Sequence, residues 1–129
     1  MFANTNFNRD ITGWVTSSAL SMAGMFESCL FNRDISGWDV SLVTDFSAMF
    51  FSAPLFDQDV SAWNVGNAND YTFMFAGASS FSQNLCTTWN TTMNLSAPVL
   101  GMFAASGCPN TTFDPDVTAI PITPLCSNC

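Results

Sequence analysis

The sequence predicts a repeat solenoid, in which the chain winds into stacked coils of about 24–28 residues. The pair Met-Phe recurs at intervals of 24, 24, 25 and 28 residues, starting at Met1, Met25, Met49, Met74 and Met102. Other columns keep the same phase: Phe7, Phe31, Phe56 and Phe81; Ile11, Ile35, Val60 and Leu85; Trp14, Trp38, Trp63 and Trp89. One copy cannot bury its own apolar face, but stacked copies can. We therefore expect like side chains to lie over one another, with Phe7 over Phe31 and Trp14 over Trp38.

Each coil is predicted to hold short parallel strands and a short helix or tight turn. In the second copy, residues 34–38 and 43–46 are predicted strands that pair with their copies in the next coil. Residues 47–53 carry apolar side chains at helix-like spacing and are predicted to form the helix or turn. Gly37 stands where the backbone bends, but Ala62 takes its place in the third copy, so no positive φ is expected there.

Residues 25–46, "MFESCLFNRDISGWDVSLVTDF", resemble the repeat "MFxxAxxFNxDISxWDVSxVTDM" of the BspA-like leucine-rich-repeat surface proteins. Residues 49–71 match the same pattern with more substitutions. The resemblance covers residues 1–103 and implies an extracellular solenoid of the leucine-rich-repeat kind. Such proteins are often linked to adhesion or have no assigned function, so the resemblance implies no particular ligand.

Two regions are predicted: four to five coils over residues 1–103, and a proline- and cysteine-rich C-terminal cap over residues 104–129. Because Met1 already belongs to a Met-Phe pair, the chain starts within a repeat, and we expect it to be a fragment of a longer protein.

Five cysteines are present, and four of them lie in the last 44 residues. Cys86 and Cys108 are separated by about one coil, which favours the disulfide Cys86–Cys108, with Cys126–Cys129 as the second bridge. Four cysteines allow three pairings, so the alternatives stay open. Cys29 occupies a position that is alanine in later copies, and is expected to be a small, buried, free thiol.

Composition favours a secreted protein. Only 9% of the residues are charged, and the net charge of −8 makes nucleic acid and anionic membrane surfaces poor partners. The longest apolar run is too short to insert into a membrane. Three N-glycosylation sequons, at Asn90, Asn94 and Asn110, lie among the clustered cysteines. Together these features predict an extracellular or cell-surface glycoprotein.

Two columns are candidate sites. Asp10, Asp34 and Asp59 are weak candidates for calcium binding, although aspartate also caps turns, and the two arginines adjoin this column. The four tryptophans are a candidate aromatic strip that would stack on sugars. A repeated tryptophan is more often part of the core, and we favour the structural interpretation of both columns.

No catalytic residues or cofactors are predicted. The chain has no histidine, which excludes Ser-His-Asp and Cys-His sites, and its lone C-x-x-C lacks the further ligands of a zinc site. We therefore expect a non-catalytic extracellular repeat module that serves structural assembly or cell-surface or matrix interaction. Its expected partner is protein, such as copies of itself or further repeats. The alternative is an adhesion module that binds a glycan or protein on one solenoid face.

Overall fold

The computed structural model describes residues 1–85, 89–94 and 96–108. Within these ranges the copies of the repeat stack in register. The N–H of Phe26 donates to the carbonyl of Met49 at 2.9 Å, and the N–H of Phe50 donates to that of Met74 at 2.8 Å. Each hydrogen bond therefore spans one Met-Phe interval. The expectations for Cys86, Asn110, Cys126 and Cys129 lie outside the described residues.

The predicted fold class, a leucine-rich-repeat solenoid with strands and a helix in each repeat, is wrong. The described residues contain a single α-helix, α1 (Trp89–Thr92), which has no counterpart in the earlier copies. Their β-structure consists of two isolated parallel bridges, Ser21 to Asp45 and Asp45 to Asp70. The rest of the described chain is turns and loops.

Turns replace the strand that was predicted over residues 34–38. The N–H of Trp38 donates to the carbonyl of Ile35, three residues earlier, at 3.1 Å. In the second predicted strand, residues 43–46, the N–H of Val43 donates in the same way to Val40 at 2.9 Å, and only Asp45 forms the isolated bridges. An N–H that closes a turn is no longer free for a ladder between strands, so apolar residues face the core here without extended strands.

The helix predicted over residues 47–53 does not form because its N–H groups alternate in direction. Those of Ala48, Phe50 and Ser52 donate to the next coil, at 2.8, 2.8 and 2.7 Å. Those between them donate to the residue three positions earlier. An α-helix instead needs every N–H to reach the fourth preceding residue. We call residues 45–53 and their equivalents in the other copies the Met-Phe arc; around Met25 it comprises residues 21–29.

Left-handed backbone conformation recurs at two fixed positions in the Met-Phe arc. Nine described residues have positive φ: Gly24, Ala48, Phe73 and Gly101 directly before the methionine, and Asn4, Ser28, Ser52, Gly77 and Ala105 three residues after it. Most residues other than glycine are strained there. The fold thus imposes this conformation on alanine, serine and phenylalanine.

Replacing Ala48 by glycine is expected to stabilise the chain by about 0.5–1 kcal/mol, because it removes left-handed strain at φ +52° and costs only glycine's extra unfolded-state entropy. Urea unfolding followed by circular dichroism measures the change. Ala23→Gly is the matched control, since Ala23 is exposed and lacks positive φ. If both changes destabilise the chain equally, the strain at Ala48 is not significant.

The core consists of aromatic columns that follow the stack. Phe7 lies over Phe31, with ring centroids 6.1 Å apart, and Trp14 lies over Trp38 at 6.4 Å. Both stacking predictions are confirmed. Cys29 is buried and free, as predicted, and its Sγ donates to the Phe7 carbonyl at 3.3 Å. No helix of the described ranges is long and apolar enough to cross a membrane.

Candidate functional site

The tryptophan column stacks from Trp14 through Trp38 to Trp63, and it is buried beyond the first coil. Trp38, Trp63 and Trp89 are between 0% and 4% exposed, whereas Trp14 in the first coil is 42% exposed. Three indole N–H groups donate to a carbonyl of the preceding coil: Trp38 to Ile11 at 3.3 Å, Trp63 to Ile35 at 3.1 Å and Trp89 to Val60 at 3.0 Å. The column is therefore a wall of the core, and Trp14 is the one tryptophan with substantial exposed surface.

The aspartate column accepts hydrogen bonds that close turns. Each Oδ1 accepts the N–H two residues later: Asp10 from Thr12 at 3.0 Å, Asp34 from Ser36 at 2.9 Å and Asp59 from Ser61 at 2.8 Å. This is the arrangement of an Asx turn. Within the described residues, no group of three acidic, cysteine or histidine side chains is placed to hold a metal ion.

The turn hydrogen bonds lower the pKa of these carboxyls below the ordinary value of 3.8. For Asp34 the N–H of Ser36 is the main cause, followed by the Ser36 hydroxyl, while the nearby Asp10 acts in the opposite direction. For Asp10 the N–H of Thr12 is the main cause, and Arg33 adds a smaller contribution of the same sign. Charge repulsion along the column is thus outweighed by local hydrogen bonds.

Acid is expected to destabilise the chain through this column. A carboxyl whose pKa is lowered on folding stabilises the fold above the pKa of the unfolded chain, and that stability is lost as the pH falls through the folded pKa. We expect the Tm to fall as the pH drops below about 4. Asp34→Asn should show a smaller drop, because Asn94 makes the same turn with an uncharged side chain. An equal drop in both proteins would contradict this origin of acid sensitivity.

A second polar column, which sequence reasoning did not identify, joins the coils directly. The Oδ1 of Asn8 accepts the N–H of Asn32 at 3.0 Å, and the Oδ1 of Asn32 accepts the N–H of Asp57 at 3.1 Å. The Oδ1 of Asp57 accepts the N–H of Ser82 at 2.9 Å. Each of these residues directly follows a member of the phenylalanine column. This recurrence in the sequence could have identified the polar column.

The predicted glycosylation residues differ in setting. Asn94 is partly buried, and its amide nitrogen donates to the Ala68 carbonyl at 3.1 Å. Its Oδ1 accepts the N–H of Ser96 at 3.1 Å. Asn90 lies in α1, and Asn110 lies outside the described residues. Because the nitrogen that would carry a glycan already binds the preceding coil, Asn94 is a poor acceptor.

We therefore expect Asn94 to remain unmodified when the chain is secreted from a glycosylating host. Peptide mapping after deglycosylation in heavy-oxygen water measures occupancy, since each released glycan leaves a mass-labelled aspartate. Asn94→Gln, which removes the acceptor, should leave the glycan mass of the intact protein unchanged. A mass label at Asn94 would contradict this assignment.

Cys108 is disulfide-bonded and buried. Its predicted partner, Cys86, lies outside the described residues, as do Cys126 and Cys129. The pairing Cys86–Cys108 therefore stays a prediction, as does the second bridge.

The aromatic columns end at the first coil on a face that we call the first-coil face, formed by Met1, Phe2, Phe7 and Trp14. Phe2 stacks on Phe7 at 3.8 Å and on Phe26 of the second coil at 5.9 Å. No ring contact within the described ranges continues these columns beyond the first coil. Met1 is 85% exposed, so apolar surface reaches solvent here.

Backbone carbonyls border this face. The carbonyls of Met25, Glu27, Asp45 and Ser47 each accept an N–H from the preceding coil at 2.8–2.9 Å. Their equivalents one repeat earlier, in Met1, Ala3, Ser21 and Ala23, accept no N–H from the described residues. The first-coil face thus combines apolar rings with backbone carbonyls that accept no N–H from the described part of the chain, which suits the binding of another polypeptide edge.

Comparison with known proteins gives a family but no characterised relative. Residues 1–114 match the family described as "Mycoplasma protein of unknown function, DUF285". No curated protein and no solved structure matches the chain. The match spans most of the sequence, including every Met-Phe pair. The chain therefore belongs to the DUF285 family.

Proposed function

We propose that this chain is a non-catalytic structural module that acts outside the cell, where it assembles with further copies of its own repeat at a cell surface or in a matrix. The stacking of one coil on the next is the observation that carries this proposal. Each coil packs its aromatic rings and pairs its backbone with a neighbour of the same repeat, so a further coil of this repeat would complement the rings and carbonyls of the first-coil face. Kinship with the BspA-like surface proteins, which rests on the motif in residues 25–46, is part of the proposal.

The polar side chains support a structural role. Asp10, Asp34 and Asp59 use their carboxylates to close turns, and their lowered pKa values are opposite to what a general acid needs. The column of Asn8, Asn32 and Asp57 binds coil to coil. The first group is thus occupied in closing turns, and the second in joining the coils.

An extracellular location is supported by the disulfide at Cys108, because disulfides persist mainly in oxidising compartments. The few charged residues and the sequon at Asn90 agree with it. Surface labelling of the native cells with a membrane-impermeant reagent tests the location. Labelling only after lysis would contradict it.

Sedimentation velocity of the full chain over a range of concentrations tests assembly. We expect the sedimentation coefficient to rise with concentration, and Trp14→Ser to reduce that rise by removing an exposed ring from the first-coil face. Leu42→Ser is the matched control, because Leu42 is 51% exposed but lies outside this face. Equal effects of the two changes, or a chain that is monomeric throughout, would contradict assembly through the first-coil face.

The exposure of Trp14 favours one second candidate, an adhesion module that stacks a sugar ring on this indole. A glycan array with the wild-type chain and with Trp14→Ala separates the two functions. Binding that depends on Trp14 in a monomeric chain would favour adhesion. Absence of glycan binding in a chain that assembles would favour the structural role.

A further inference from the structure

We infer that an exposed apolar patch on the Met-Phe arcs binds a basic segment of a partner polypeptide. The patch, which we call the Phe73 patch, consists of Phe51, Phe73 and Leu100. This inference goes beyond the proposed assembly, because it concerns a different surface and a different partner. It follows from the conformation and exposure of Phe73 and from the charges beside it.

Phe73 is held in a conformation that a phenylalanine disfavours. Its φ is +56°, whereas the same position in other copies is taken by Gly24, Ala48 and Gly101. Left-handed backbone is strained for a bulky residue. The ring is nevertheless 40% exposed, so the strain is not offset by full burial in the core. Strained residues persist where the surrounding structure enforces them, and they are concentrated at functional positions.

The neighbouring coils make room for the Phe73 ring and extend its apolar surface. A Cβ on Gly101 would lie 2.4 Å from Cε1 of Phe73, so the ring occupies the space above that glycine. The ring also meets Phe51 edge-on, with centroids 6.1 Å apart. The N–H of Phe73 donates to the carbonyl of Leu100 at 2.9 Å, and the Leu100 side chain is exposed. The patch thus spans three successive coils, as a site for another molecule would.

The charged groups beside the patch are carboxylates. Glu27 occupies the column of Phe51 one coil earlier. Asp70 lies three residues before Phe73, and its Oδ1 accepts the N–H of Thr72 at 2.7 Å. Both acidic side chains are partly exposed. The apolar patch is therefore bordered by negative charge.

The chain supplies little positive charge of its own to this surface. Its only two basic residues are Arg9 and Arg33, so residues 34–129 contain acidic residues and no basic ones. Charge complementarity therefore favours a basic partner. A second copy of this chain is a poorer occupant, because most of its surface would bring further carboxylates against the patch.

A polypeptide segment with arginine and leucine side chains complements both properties of the patch. A guanidinium can lie over the exposed Phe73 ring and pair with the carboxylate of Asp70. Leucine side chains of the same segment can cover Phe51 and Leu100 and remove apolar surface from water. Because the patch is small, we expect transient binding that weakens as salt is added.

Fluorescence anisotropy of a labelled peptide that alternates arginine and leucine tests the patch on the full chain. Phe73→Gly is the informative variant, because Gly24 and Gly101 show that the fold accepts glycine at this position. We expect this variant to bind the peptide about five- to tenfold more weakly than the wild-type chain at low salt. Leu42→Ser is the matched control, since Leu42 is similarly exposed outside the patch, and it should weaken binding less than about twofold.

Thermal unfolding separates a binding role of Phe73 from a packing role. Glycine relieves the left-handed strain, which offsets the ring contacts that are lost, so Phe73→Gly should keep a Tm close to that of the wild-type chain. Leu100→Ser should also weaken peptide binding without a large change in Tm. A clear fall in Tm for Phe73→Gly with unchanged peptide binding would assign the ring to packing and overturn the proposal.

The charge of the partner is tested with Asp70→Asn and with a peptide that carries glutamate in place of arginine. Asparagine keeps the turn, as Asn94 does in its own copy, so only the charge is lost. We expect Asp70→Asn to bind the arginine peptide with a flatter salt dependence, and the glutamate peptide not to bind.

Three outcomes would overturn this proposal. The first is that the wild-type chain does not bind the arginine peptide, and the second is that Phe73→Gly and Leu42→Ser bind it equally well. The third is self-association that Phe73→Gly abolishes, which would make the patch a contact between copies. Trp14→Ser should leave peptide binding unchanged, so failure of this proposal is distinguishable from failure of assembly through the first-coil face.

Discussion

Replacing Trp63 by alanine is expected to destabilise the chain by roughly 3–5 kcal/mol, the usual cost of truncating a large buried aromatic side chain. Trp63 is 1% exposed, stacks on Trp38 with ring centroids 6.5 Å apart and contacts Phe46 at 6.0 Å. The change also removes the donor that the Ile35 carbonyl binds inside the core. Because domains of this size are commonly stable by about 5–15 kcal/mol, much of the total stability would be lost.

Urea unfolding monitored by circular dichroism measures this loss. The matched control is Trp14→Ala, which removes the same side chain from the same column where it is 42% exposed, and we expect a cost of about 1–2 kcal/mol. A Trp63→Ala chain as stable as the Trp14→Ala chain would contradict the burial of this column.

Gly107→Ala is expected to cost about 1–3 kcal/mol by overpacking the contact between the last two coils. A Cβ at this position would lie 2.5 Å from the Ser79 carbonyl oxygen and 2.8 Å from that of Phe81. Both obstacles are backbone atoms of turns, which cannot rotate away as a side chain can. The Gly107 N–H donates to the Ala78 carbonyl at 3.0 Å, and we expect this hydrogen bond to be lost as the two segments move apart.

The control for this change is Gly37→Ala. No atom lies within 4 Å of the Cβ that alanine would add there, and Gly37 has no positive φ, as predicted from Ala62 in the third copy. We expect Gly37→Ala to change the stability by less than about 0.5 kcal/mol. Thermal unfolding of both variants decides the matter, since equal Tm values would show that the last coil does not pack against residues 79–81.

The candidate sites illustrate what residue pattern can and cannot predict. The aspartate column was detectable because its members recur, but whether they bind calcium or close turns depends on which N–H lies within reach. The sequon at Asn94 is recognised from three consecutive residues. The hydrogen bond from its side-chain nitrogen to Ala68 depends instead on a residue 26 positions away in the sequence. Patterns along the chain identify residue types, whereas contacts between coils decide how those residues are used.

The sequence by itself determined the stacking of the repeat. Nine of the thirteen phenylalanines and all four tryptophans recur in fixed columns, and stacking the copies buries these rings over one another, which can be inferred without knowledge of the backbone geometry. The register of Phe7 on Phe31 and of Trp14 on Trp38 was predicted on that basis and is confirmed.

Only the tertiary structure decided how the backbone makes each coil. Apolar spacing at residues 47–53 is the same whether they form a helix or a series of turns, so the sequence pattern does not separate the two. The outcome depends on Ala48 and Ser52 adopting positive φ, which neither residue favours alone. The next coil stabilises that conformation by accepting their N–H groups.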